Sequence, residues 1–398
     1  MTNRKDTKCI LPWIHMHTWP NGAVYPCCLT PMEHEIGNLN ESNLEEIWNA
    51  KKLSSIRNKM LNGEEPISCQ RCFEQESVGK NSLRLDMNKK FSHLLQLSDT
   101  TNSDGTLDYF KLYYWDFRFS NVCNMRCRSC GPQLSTGWYE DTKKLWGSLP
   151  LDIPDSNQTF NMWEEIEPFF KDVEAIYFAG GEPLIMEEHY RILDKLDELG
   201  KYDVNISYNT NFSKLKYKKT NIVDHWKKFR NVEIGASIDG FGKKAEYIRK
   251  GTDWNTIQKN REEVRHKAPS VDFWINFTLS VFNCYHIIEF YNWAIDTDFI
   301  KADKFHINLV QFPEHLRLQI LPTQMKNDLT FEYETLARKC KALKIDHLAE
   351  QFVSIINFMW QEDKSELQED FKKYTLALDK IRKENFKEVF PELAEIIE

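Results

Sequence analysis

Three cysteines in the stretch 120–131, SNVCNMRCRSCG, carry the densest chemistry in the chain: Cys123, Cys127 and Cys130 stand at the spacing C-x3-C-x2-C. Three thiolates this close can hold three irons of a 4Fe-4S cube and leave the fourth iron without a protein ligand. That open iron is where a small molecule can bind and react. Zinc is the alternative, because soft thiolates suit it too. A structural zinc site, however, wants a fourth Cys or His close by, and none stands within this loop.

A second set of thiols lies toward the N-terminus: Cys9, the pair Cys27 and Cys28, then Cys69 and Cys72 at C-x2-C. Four-cysteine zinc sites look much the same in sequence, so zinc stays open here. His15 and His17 lie near and could be ligands, but they read more simply as hairpin or surface residues. The two sets take eight of the ten cysteines, leaving Cys284 and Cys340 as expected buried, inert thiols.

With 398 residues, 41% of them hydrophobic, the chain can build one large domain and one or two smaller ones. Its formal charge of -8, with bases interspersed among acids, argues against general nucleic-acid binding. The N-terminus lacks the apolar core of a signal peptide, and no segment approaches the roughly 20 apolar residues of a membrane span. A cytoplasmic protein is expected. In that setting clustered cysteines are more readily metal ligands than disulfides.

Elements of regular structure must position these groups. WPNGAVYPC, 19–27, reads as a turn into a short strand that presents a thiol, most naturally as a hairpin. From 40 to 61, Leu44, Ile47, Trp48, Leu53, Ile56 and Met60 fall near helical spacing. The polar stretch 79–106 is expected to be a helix followed by a loop or linker. From about 107, six strand-like runs alternate with helix-length segments: KLYYWDFRFS, VEAIYFAGGEP, VNISYNTN, NVEIGASIDG, VDFWINFTLSV and KFHINLVQF. Parallel neighbours need long connections, so this alternation argues for a parallel sheet with right-handed crossovers. In barrels of this kind functional residues gather at the C-terminal strand ends. Past 313 the pattern is helical, with apolar stripes Leu348, Phe352, Ile355, Ile356, Met359 and Phe371, Tyr374, Leu378, Ile381.

Polar motifs do fall at the strand ends. The first strand runs into the three-cysteine loop and the second ends in Gly180, Gly181, Glu182 and Pro183, where two glycines let backbone approach a ligand. Asn209 and Asn211 close the third, either as loop caps or facing a ligand. The fourth ends in Ser237, Ile238, Asp239 and Gly240, where alternation puts Ser237 and Asp239 on one side. Arg249 comes next, with a fork suited to a carboxylate.

The C-x3-C-x2-C loop, GGEP at 180–183, SIDG at 237–240 and Arg249 in RKG together resemble the radical S-adenosylmethionine (SAM) enzymes. The resemblance implies an α/β fold containing a partial (β/α)6 TIM-like barrel over 107–312. It implies a 4Fe-4S cluster on Cys123, Cys127 and Cys130, with SAM bound at its open iron. Gly180, Gly181, Glu182, Pro183, Asn209, Asn211, Ser237, Asp239 and Arg249 would contact SAM. Many members have an aromatic residue before the third cysteine, where Ser129 stands here, which leaves adenine contacts to Arg128 or to the fifth and sixth strands. Cys9, Gly22-x4-Cys27, the run 37–49 and Cys69-x2-Cys72 resemble the twitch domain, the shorter relative of the SPASM domain. This implies an α+β module over 1–80 holding an auxiliary 4Fe-4S cluster, with Cys27 favoured over Cys28 by spacing. A linker, 81–106, and a C-terminal helical extension, 313–398, complete the division.

The activity implied is reductive cleavage of SAM to a 5'-deoxyadenosyl radical, followed by hydrogen abstraction from a substrate, with a flavodoxin or ferredoxin as electron donor. Relatives with such domains often modify peptides, so a peptide or protein substrate comes first and a small metabolite such as a sugar, nucleotide or amino acid second. A zinc-thiolate scaffold on a degenerate barrel is the alternative of another class.

Overall fold

The computed structural model describes residues 6–77, 79–150 and 160–398. They form two compact units, one made of 6–121, 160–180 and Met186–Ser207, the other of 122–150, Gly181–Ile185 and Tyr208–Glu398.

The first unit contains strands β1 (His15–Thr18), β2 (Ala23–Tyr25), β3 (Gly37–Asn38), β4 (Tyr114–Phe117) and β5 (Ala175–Phe178), in the order β5-β4-β1-β2-β3. The expected hairpin is β1 with β2, antiparallel, closed by a turn in which Gly22 takes φ +88°. Only glycine adopts that conformation without strain. The block expected as a separate N-terminal domain is joined to β4 by main-chain hydrogen bonds: β1 pairs with it in parallel, His15 opposite Tyr114 and His17 opposite Asp116. On β4, Trp115 and Phe117 point into the core and alternate with Tyr114 and Asp116 on the other face.

The helical stretch expected over 40–61 is two helices, Leu44–Trp48 and Lys51–Leu61. Asn43 and Glu46 start the first with a reciprocal capping box. The break falls at Asn49, whose side chain bonds the backbone of Leu107 through both its oxygen, 3.0 Å, and its nitrogen, 2.9 Å. Helix Leu83–Lys90, capped by Ser82, and a 3-10 turn over Ser92–Thr100 occupy the polar stretch after it.

Strand β6 (Asn205–Thr210) belongs to the first unit at its start and to the second at its end. The second unit continues with β7 (Asn231–Ser237), β8 (Asp272–Leu279) and β9 (Phe305–Leu309), paired in parallel in that order. Each of the six strand-like runs thus contains a strand, and the chain is α/β with mostly parallel strands. On β8, Phe273, Ile275, Phe277 and Leu279 are buried, while Trp274, Asn276 and Thr278 alternate on a half-buried face. Each fully buried large apolar side chain contributes about 1.5–3 kcal/mol. Helices Thr323–Ala342, Asp346–Gln361 and Gln368–Arg382 complete the unit, with Leu348, Phe352, Ile355, Met359, Phe371 and Leu378 buried. No helix among the described residues is long and apolar enough to cross a membrane.

Candidate iron-sulfur and cofactor sites

In the second unit, the cysteine loop is fixed by backbone pairing. Arg126 and Cys127 form a short antiparallel ladder with Arg249 and Lys250, setting Cys127 directly opposite Arg249. The Cys130 amide closes a turn onto the Cys127 carbonyl at 3.0 Å, and the Trp138 indole donates to the same carbonyl at 3.0 Å. Ser135 Oγ donates to the Met125 carbonyl at 2.6 Å, and the Cys123 amide donates to Thr136 Oγ1 at 3.3 Å.

Two relays of side chains reach the thiols. In one, Arg249 Nη1 donates to Cys127 Sγ at 3.6 Å while its Nε holds Asp239 Oδ2 at 2.6 Å. The other Asp239 oxygen accepts the Thr278 amide at 2.7 Å. Both carboxylate oxygens are therefore engaged inside the chain, and Asp239 stands behind Arg249. Burial disfavours the guanidinium charge, yet Asp239 and the neighbouring thiols more than offset it and raise the Arg249 pKa. In the other relay, Asn211 Nδ2 lies 3.9 Å from Cys123 Sγ and 3.0 Å from Asn124 Oδ1. Its backbone amide donates to Glu182 Oε2 at 2.6 Å. Glu182 also accepts from Thr210 Oγ1 at 2.7 Å and the Leu184 amide at 3.0 Å. Burial pushes its carboxyl up to about 7, against the three hydrogen bonds that favour the charged form.

Burial also pushes Cys123 up to about 11 and Cys130 to about 12, and raises Cys127 against the opposing charge of Arg249. Coordination to a metal reverses this, because a bound cation deprotonates a thiol outright. The donor set fits a metal-thiolate centre.

The remaining expected cofactor residues lie at strand ends. Gly180 and Gly181 take φ +84° and +49°, and Pro183 opens a 3-10 turn over Pro183–Ile185. Asn209 accepts from Asn276 Nδ2 at 2.6 Å, and Ser237 stands opposite Asn276 on the neighbouring strand. Arg128, a candidate for adenine contact, is instead fully buried, with its Nη2 2.6 Å from Asp379 and 2.8 Å from Glu384 and its guanidinium 3.7 Å from the Tyr247 ring centroid. Its charge is consumed by carboxylates that no local motif places there.

In the first unit, Cys9, Cys27, Cys69 and Cys72 line a single small cavity, together with Leu11, Leu29, Leu83, Arg71 and Arg84. Among the described residues no three His, Cys, Asp or Glu side chains are gathered as for a single ion. Four thiols lining one cavity are a donor set for a metal-thiolate centre. An iron-sulfur cluster-binding domain model, SPASM, matches residues 9–73, which begin at the first of these thiols and end one residue past the last. Residues 9–73 are a SPASM domain.

The solved structures similar to the chain include native anSMEcpe with bound AdoMet, 17% identical, with a TM-score of 0.38 over 55% of this chain and 60% of that one. A histidine-tagged form of anSMEcpe with bound AdoMet is 16% identical, with a TM-score of 0.40 over 56% and 59%. TYW1 with a lysine-pyruvate adduct bound is 14% identical, with a TM-score of 0.29 over 56% and 71%. The chain thus spans about 60% of the length of the anSMEcpe chains. No curated protein matches it in sequence.

Within the SPASM domain, Cys28 is not among the residues that line the cavity. It is exposed, and its electrostatic neighbours include Asp116 and Arg118. His15 and His17, expected on a hairpin surface, are both buried. Sequence reasoning misses Asp116 and Arg118 because the aromatic residues of YYWDFRF hide the alternation that puts Tyr114, Asp116 and Arg118 on one face.

Proposed function

We propose that this chain is a radical SAM enzyme with a SPASM domain. The observation that carries the reading is the ladder that sets Arg249 against Cys127, bringing a cation, its buried carboxylate and the three-thiol loop into one constellation. Cys123, Cys127 and Cys130 would hold a 4Fe-4S cluster, and Cys9, Cys27, Cys69 and Cys72 a second one. When bound, the first cluster with SAM at its open iron supplies a 5'-deoxyadenosyl radical able to take a hydrogen atom from an unreactive C-H bond.

The chain's own residues do the positioning. Arg249 donates toward the ligand sulfur of Cys127, and Asp239 fixes its fork beside the thiol loop, where a guanidinium suits a carboxylate. Asn211, oriented by Glu182, does the same at Cys123. Gly180, Gly181, Pro183, Asn209 and Ser237 present backbone and small polar groups at the strand ends, where a methionyl group and ribose would lie. The same reading takes 107–312 as a partial (β/α)6 barrel, 1–80 as the auxiliary domain, 81–106 as a linker and 313–398 as a helical extension. It places the protein in the cytoplasm, with a flavodoxin or ferredoxin as donor and a peptide or protein as substrate.

Anaerobically reconstituted protein given SAM and a strong reductant is expected to form 5'-deoxyadenosine. Ala at Cys123, Cys127 or Cys130 should abolish it. Full cleavage in all three variants, or zinc in place of iron and sulfide in the purified protein, overturns the reading.

A further inference from the structure

One face of the first unit's parallel strands carries a set of polar groups with no part in either thiol site. His15 and His17 on β1 stand opposite Tyr114 and Asp116 on β4, Arg118 continues the β4 face, and Tyr177 lies on β5. Asp116, His15 and His17 form a buried floor. Above them the Arg118 side chain is 12% exposed, Tyr177 is partly buried and Cys28 is exposed, so the face reaches solvent beside Cys28.

The floor is charged. Asp116 lies 2.9 Å from Arg118 Nη2 and 3.2 Å from His17 Nδ1. A carboxylate and a guanidinium this deep are costly to desolvate and contribute little net stability, so their retention calls for another reason. The second arm of the fork, Arg118 Nη1, is buried with no hydrogen-bond partner among the described residues, and both carboxylate oxygens of Asp116 likewise accept no hydrogen bond there, their contact with Arg118 Nη2 being an ion pair alone. The guanidinium sits 5.0 Å from the Tyr177 ring centroid. Burial pushes the Tyr114 and Tyr177 phenols up, which keeps them hydrogen-bond donors at neutral pH. Burial likewise lowers His15 to about 4, so it is uncharged there. Gly180, at φ +84°, leaves the space that the Arg118 stem fills, since a Cβ there would come within 2.8 Å of Arg118 Cδ.

We propose that this face is a substrate-binding site for a carboxylate, with Arg118 as the receiving fork and Asp116 and His17 as the groups that aim it. One arm of the fork is committed to Asp116, and the other is a desolvated donor lacking an acceptor. Asp116 directly beneath disfavours a dianion, which selects a carboxylate over a phosphate. The inference rests on the chain acting on a substrate but not on radical chemistry.

Cys28 reports on the site because it is the exposed thiol beside Arg118. Iodoacetate and iodoacetamide alkylate a thiolate by the same displacement, the sulfur-carbon bond forming as iodide leaves, and differ in that only the first carries a carboxylate. Thiolate fraction cancels in the ratio of their rates. Measured by peptide mass spectrometry on the anaerobically reconstituted protein, that ratio at Cys28 should exceed the glutathione value by about tenfold, the size of one charge-assisted hydrogen bond. It should fall to the glutathione value in Arg118→Gln. In the native protein N-acetylglycine, a chain-end carboxylate, or N-acetylaspartate α-amide, a side-chain carboxylate, should slow alkylation of Cys28. Which of the two protects identifies the source, and neutral N-acetylglycinamide should not protect. A glutathione-like ratio in the native protein, a ratio unchanged in Arg118→Gln, or equal protection by the neutral amide overturns the proposal. If Arg118→Gln does not fold, the protection series on the native chain decides. Neither measurement uses SAM or a reductant, so either can fail while 5'-deoxyadenosine formation succeeds, and the converse.

Discussion

Replacing Asp239 with Ala is expected to loosen the cluster loop as well as the cofactor. Asp239 is 1% exposed and Arg249 13%, so the variant strands a guanidinium that burial has separated from water. Removing one partner of a buried ion pair costs about 3 to 5 kcal/mol, because the remaining charge is uncompensated. That is roughly a hundred- to several-thousand-fold in the folding equilibrium. Because Arg249 also donates to Cys127 Sγ, iron retention should fall together with SAM affinity. The double variant Asp239→Ala/Arg249→Met removes both charges and should recover most of the stability, while SAM binding stays lost. The assay is a urea-unfolding series on anaerobic protein, with iron content and SAM affinity measured on the same samples. If Asp239→Ala keeps native stability and iron, or the double variant is no more stable than the single one, the buried-pair reasoning is wrong.

The same geometry sets other outcomes. The double variant Cys69→Ala/Cys72→Ala should lose about one 4Fe-4S equivalent and keep 5'-deoxyadenosine formation, whereas Cys28→Ala should keep full iron; iron analysis separates them. Glu182, raised from 4.5 to about 7 in the fold, holds a proton that the unfolded chain releases. The stability it contributes is therefore whole below about pH 4.5 and lost as pH rises through about 7, and Glu182→Gln should flatten that part of the urea-midpoint profile. An unchanged slope would assign the titration to another group. Gly180→Ala forces a Cβ into left-handed backbone and against Arg118, so a loss of about 1–2 kcal/mol from backbone strain alone is expected in urea unfolding, and none would mean the turn relaxes freely.

Strands β4 to β9 are legible in the sequence because each is a short apolar run bounded by helix-length segments, and both thiol sets because cysteine spacing is a local signal. The pairing of β1 with β4 is not, since it joins residues about 100 positions apart and leaves no mark on either segment. The burial of Arg128 escapes a sequence reading for the same reason: Asp379 and Glu384 determine its surroundings, and nothing near it in the chain announces them. Glu182 reads locally as part of a turn, although its three donors, Thr210, Asn211 and Leu184, make it the tie between two strand ends. Asp116 and Arg118 become visible only when the aromatic strand is counted in steps of two.

The Arg128 contacts also impose an order in time. Arg128 lies between Cys127 and Cys130, and the carboxylates that hold it, Asp379 and Glu384, are made 251 and 256 residues later. Arg126 and Arg382 converge on Asp141 in the same way, at 2.9 and 2.8 Å. At the usual pace of synthesis that separation amounts to roughly 10–50 s, during which the thiols exist without the clamp that shapes their loop. Loading of metal during translation would therefore meet a loop that already has its ladder to Arg249 and Lys250 and the Arg126–Asp141 pair, while Arg128 stays uncompensated until Asp379 and Glu384 are made.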